Sequence, residues 1–143
     1  NMIQEEKNLL LKDLCPRLFY GVKVEIRVPN SKEKTYENLI GVLIEISNTG
    51  SSLVNVKGVD YRSFNLDIKP LLRSMSSMTE KEKVEFANFC CIENTPLPTD
   101  SSWVEFSKVS DLMKFIFSHH LDWLGLIPKG LALEAKEGIY KIK

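Results

Sequence analysis

Cysteine is scarce in this chain and badly placed for cross-linking. The three thiols, Cys15, Cys90 and Cys91, are an odd number, two of them adjacent, and none has the spacing of a metal finger. That usage fits a reducing compartment better than a disulfide framework, so a cytoplasmic protein with free thiols is expected. Long apolar runs are missing too. Nothing approaches the roughly 20 residues needed to cross a bilayer, and Met2 to Lys7 lack the basic-then-apolar layout of a secretory leader, so neither a membrane partner nor export is expected. Asn1, ahead of a methionine, is given no role.

An excess of one charge is also absent. Nineteen basic residues balance 19 acidic ones; the half up to Ser74 carries 11 and 9, and the remainder 8 and 10. Neither half has the basic excess that drives phosphate binding by counterion release, so net charge does not support a nucleic-acid partner. Enzyme signatures are equally lacking: there is no Gly-rich phosphate loop, no Gly-x-Ser-x-Gly elbow and no His-Glu-x-x-His pair.

What is present is the patterning of an α+β domain. Hydrophobic residues at 43% and charged residues at 27% are ordinary globular values for a single domain of 143 residues. Leu10, Leu11, Leu14 and Leu18 form a helical stripe over Ile3 to Cys15, which Pro16 is expected to end. Val22, Val24, Ile26 and Val28 alternate with Lys23, Glu25 and Arg27, and Ile40, Val42, Ile44 and Ile46 alternate with Gly41, Leu43 and Glu45, as in strands with one buried face. A polar turn over Pro29 to Lys34 separates them. Shorter strands are read over Leu53 to Lys57 and Asn65 to Lys69, with Pro70 closing the sheet.

A helix followed by such a meander, with a glycine inside the second strand, looks like a small curled barrel of the SH3 or Sm kind. The loop Asn48-Thr49-Gly50 lacks the Asp of an Sm uridine pocket, and fold alone does not set function.

The second half reads as a mainly helical lobe, 75–143, beside the helix-plus-sheet lobe 1–74. Thr79-Glu80-Lys81-Glu82 is a capping box that starts a helix running to about Cys90, with Phe86, Phe89 and Cys90 buried and Lys81, Glu82 and Glu85 in water. A loop spans Glu93 to Ser102, and Trp103 to Phe106 reads as extended. Val109, Leu112, Met113, Ile116, Phe117, His120 and Leu124 then make one helical face between a Ser107 cap and a Gly125 terminator. Leu131 to Ala135 and Ile139 to Ile142, with Gly138 between them, read as a short C-terminal hairpin; a two-turn helix over Leu131 to Lys136 competes with that reading.

Three segments carry a family resemblance. Ile68-Lys69-Pro70-Leu71-Leu72-Arg73 running into Met75-Ser76-Ser77-Met78-Thr79, then Phe89-Cys90-Cys91, then Asp122-Trp123 through Gly125 to Ala135 resemble an uncharacterised family of small proteins from Bacteroides-type genomes, frequent among prophage or mobile-element genes. The resemblance spans most of the chain. It implies a bacterial cytoplasmic setting and an accessory role, and it carries over no catalytic or binding residue.

The candidate chemistry is His119, His120 and Asp122 with Cys90 and Cys91, the usual zinc-ligand types. Adjacent helical residues diverge by about 100°, so the expectation is one buried and one half-exposed histidine serving the core. Cys90 falls on the packing face, near a helix C-terminus that disfavours a thiolate. Lys129, Lys136, Lys141 and Lys143 cluster about the hairpin, as in a winged-helix module or a guarded strand edge. Trp103 and Trp123 read as packing aromatics, or as anchors for a partner if exposed.

The sequence thus points to a non-enzymatic accessory protein that binds another protein. Nucleic-acid binding through the barrel or hairpin is the first alternative, and a metal or thiol enzyme the second. No catalytic, cofactor-binding or metal residue is assigned, and no cofactor is expected.

Overall fold

Val24, Ile26 and Val28 turn inward from β1 (Lys23–Asn30), which pairs antiparallel with β2 (Thr35–Ile46) through the tight turn at residues 31–34. The computed structural model describes residues 2–90 and 102–140. Its sheet continues through β3 (Ser52–Val56), β4 (Val59–Ser63) and β5 (Ile68–Leu72) to β6 (Leu133–Glu134), in the order β4-β3-β2-β1-β5-β6. The sheet stays open and does not close into the small barrel that the meander suggested.

β2 presents its other face to the core. Gly41 and Leu43 are buried, whereas Ile40 and Ile44 are about half exposed, at 48% and 52%. Gly41 is opposite Val24 in the β1 ladder, and a Cβ there would meet the Asn55 carbonyl and lie 2.7 Å from Val56 Cγ2. Only glycine lets β3 close over that point. A bulge between Leu43 and Glu45 then shifts the register.

Two prolines lie inside elements rather than ending them. α1 (Gln4–Arg17) contains Pro16 in its last turn, where one helical hydrogen bond is lost but the Asp13 and Arg17 side chains join across the same turn. Pro70 lies within β5 opposite Val24. β5 itself begins three residues later than the sequence suggested, because Leu66 takes a left-handed φ of 54°.

α2 (Glu80–Cys90) begins at the expected capping box: the Glu82 amide donates to Thr79 Oγ1 at 3.2 Å, and the Glu82 carboxylate accepts the Thr79 amide at 2.8 Å. α3 (Ser102–Ser118) starts five residues before Ser107, so residues 103–106 are helical. It stops at Ser118, well short of Gly125. His120 takes a φ of 56° while its amide donates to the Phe117 carbonyl and that of Leu121 to the Ile116 carbonyl. This is a Schellman ending with histidine in the place usually held by glycine.

The C-terminal segment turns at Gly138 as expected, but Leu133 and Glu134 pair in parallel with β5, and among the described residues no hairpin forms across the turn. Lys141 and Lys143 lie outside the described residues, as do Cys91 and residues 93–101 of the segment expected to be a loop.

Two apolar clusters result. Leu10 and Leu14 of α1 join the inner face of the sheet with Leu126, Leu131 and Ala132, and Phe115, Ile116, Phe117 and Leu121 gather Phe86, Phe89, Met75, Met78 and Trp123. No described helix is long and apolar enough to cross a membrane.

Candidate functional site at the seam of helices and sheet

The end of α3 meets the end of β5 at Arg73. Its amide donates to the His120 carbonyl at 2.8 Å, and its carbonyl accepts from the Asp122 amide at 2.8 Å, a one-residue parallel bridge to Leu121. The Arg73 guanidinium then turns to α2 and grips Glu82 through both nitrogens, at 2.8 and 2.9 Å. Glu82 is therefore buried rather than in water, and the hydrogen bonds from Arg73 hold its carboxyl down at about 2 against the cost of burial.

His119 is half-buried beside this pair. Its ring stacks on Phe115 with centroids 4.1 Å apart, and Nδ1 lies 2.9 Å from the Phe115 carbonyl. A carbonyl only accepts, so that nitrogen carries the proton. Nε2 is 3.7 Å from the Glu82 carboxylate.

His120 points elsewhere. It is buried and stacked on Tyr140, with centroids 3.5 Å apart and planes 10° from parallel, and among the described residues its Nδ1 has no hydrogen-bond partner. Burial first, then the charges of Arg17, Arg73, His119 and Lys23, push its pKa down to about 4. The ring is neutral at pH 7. The sequence reading of one buried and one half-exposed histidine holds.

Asp122 organises the backbone beyond the helix. Its two carboxylate oxygens accept the amides of Leu126 at 2.7 Å and Ile127 at 3.0 Å, forming the turn that returns Leu126 to the core. Both histidines and the aspartate are thus engaged in different directions, and among the described residues no group of three His, Cys, Asp or Glu side chains is placed to hold a metal. Cys90 ends α2, Cys91 lies outside the described residues, and Cys15 is an exposed free thiol.

Beneath the seam lies a buried ion pair. Arg17 donates to Asp13 at 2.9 and 3.0 Å and to the Leu121 carbonyl at 2.5 Å, with both side chains fully buried. Burial outweighs the pull of Arg17 and raises the Asp13 carboxyl above its ordinary value, with nearby Asp122 adding to the rise. Sequence reasoning missed Arg17, Arg73 and Tyr140. The one local signal was Glu82 in its capping box, and its long-range partner left no mark on nearby residues.

Two clefts are present, the first beside these groups and the second lined by none of them. One of about 340 Å³ is lined by Arg73, Ser77, Thr79, Lys136 and Tyr140, and another of about 420 Å³ by Glu6, Glu25, Arg27, Lys69 and Lys129. Both mix charges of the two signs.

The outer face of the sheet has a different character. Tyr36 is 65% exposed, and Ile40 lies along the same strand face, with Ile44 exposed at the bulge. The Arg27 guanidinium covers the Tyr36 ring at 4.3 Å from its centroid. Glu25, Arg27 and Lys69 border this apolar strip from β1 and β5.

The fold and its seam define an open-sheet α+β protein. No protein-family model matches the chain, and neither a curated protein nor a solved structure matches it.

Proposed function

We propose that the chain is a non-enzymatic accessory protein of a bacterial cytoplasm that works by binding another protein, and that the outer face of the sheet is its contact surface. The observation that carries this reading is the strip Tyr36, Ile40 and Ile44, large apolar side chains left at 65%, 48% and 52% exposure along one strand. Apolar side chains grouped in one exposed patch with a charged border are the usual makeup of a docking surface. The polar groups of the seam support the same reading from the other side, since Glu82, His119 and Asp122 each already hold a backbone or side-chain partner. The partner is a protein that offers a complementary apolar surface. Affinity capture from the native extract, run in parallel with wild type and with an Ile40→Asp/Ile44→Asp variant of unchanged melting temperature, tests it. A partner held by wild type and lost by the variant is expected; identical captured sets, or saturable turnover on a broad substrate panel, would overturn the reading.

A further inference from the structure

Among the described residues, β4 is the last strand at its end of the sheet. It is joined to β3 by the two residues Lys57 and Gly58, at φ 50° and 87°, with Val56 opposite Val59. Two left-handed residues in a two-residue loop make a type I′ turn, whose flanking pair is hydrogen-bonded. Alternation along the ladder then directs the amides and carbonyls of Val59, Tyr61 and Ser63 at β3, and leaves those of Asp60 and Arg62 at the open edge.

Such an edge is a template for another strand. Antiparallel pairing with a second copy of itself puts the outward groups of both edges opposite one another only if the two-fold axis falls on a residue. An axis on Asp60 sets Asp60 against Asp60, and one on Arg62 sets Arg62 against Arg62. An axis on Tyr61 sets Asp60 against Arg62 twice and forms both hydrogen-bonded pairs. Opposite charges across strands attract and like charges repel, so one register is selected.

We propose that β4 pairs with β4 of a second copy of this chain, antiparallel and centred on Tyr61, so that the sheet runs continuously through a dimer. Both charged side chains are exposed and have atoms to spare: Asp60 Oδ1 takes Asn55 Nδ2 at 2.7 Å and Arg62 Nη1 gives to Ser51 Oγ at 2.9 Å, while Asp60 Oδ2 and Arg62 Nη2 are unpartnered among the described residues. Phe64, 71% exposed just past the strand, falls opposite Gly58 of the second copy, where no side chain obstructs it. The pairing uses the strand edge and is independent of the outer face assigned above.

Sedimentation over a concentration series tests this on wild type, Asp60→Arg, Arg62→Asp and the double exchange. Each single reversal sets like charges against each other twice and is expected to weaken association by about tenfold or more. The double exchange restores the opposition in reverse and is expected to recover the dimer. Backbone hydrogen exchange on wild type supplies a second readout that needs no variant: the amides of Asp60 and Arg62 are expected to gain protection as concentration rises. A wild type that stays monomeric to its solubility limit, a dimer indifferent to the single reversals, or edge amides that exchange equally fast at all concentrations would overturn the proposal.

Discussion

The phenol oxygen of Tyr140 lies 2.8 Å from the amide nitrogen of Lys23, inside the ladder that joins β1 to β5. With Val24 opposite Pro70, the next rung is Lys23 opposite Leu71, and there the Tyr140 hydroxyl takes the Lys23 proton and gives its own to the Leu71 carbonyl at 2.7 Å. Burial raises the phenol to about 12, so it remains a donor throughout the neutral range. Tyr140→Phe keeps the stacking on His120 but strands two backbone groups. A loss of about 1–3 kcal/mol is expected, read from urea unfolding midpoints.

His120 gives the fold an acid-sensitive element. Its folded pKa of about 4 lies below its ordinary 6.5, so between those values the unfolded chain holds a proton that the folded one refuses. Stability is complete above about pH 6.5 and falls as pH drops through the window, by about 3 kcal/mol in total. Glu82 follows, its contribution present above pH 4.5 and lost as pH falls towards 2. Urea midpoints at pH 7.5 and 5 should differ clearly in wild type and much less in His120→Asn, where asparagine tolerates the left-handed backbone.

Gly41 should resist the smallest enlargement. Its Cβ would press on the Asn55 carbonyl and Val56, both held by the β3 ladder. Gly41→Ala is expected to destabilise by about 1–3 kcal/mol, measured by the shift in thermal midpoint.

The Asp13–Arg17 pair should behave as a unit. Removing Arg17 alone, as Arg17→Met, leaves a carboxylate and the Leu121 carbonyl buried without their donor. A loss of about 3–5 kcal/mol is expected, and the double variant Asp13→Leu/Arg17→Met should recover the part due to the bared carboxylate, leaving only the Leu121 carbonyl without its donor. Comparison of urea midpoints for single and double variants decides this.

Features written in neighbouring residues were readable from the sequence. The alternation of β1, the leucine face of α1 and the Thr79–Glu82 box needed nothing from afar, and all three are present. β2 misled because both of its faces are aliphatic; Gly41 decides which turns inward, through a close approach by β3 that no local pattern contains. β4, only five residues long, was given no reading from the sequence. Pro16 and Pro70 suggested endings, yet the Asp13–Arg17 clasp carries the helix past Pro16 and β5 accommodates Pro70 within its ladder. In the candidate site the histidines and Asp122 were visible, while the guanidinium groups that fix their surroundings arrive from positions far away in the chain.

Arg73 exchanges backbone hydrogen bonds with His120 and Asp122, and Arg17 reaches from α1 to Leu121. Neither half can come apart without stripping partners from the other. Heat therefore meets a single melting body: one calorimetric peak, and no protease-resistant fragment ending near Ser74.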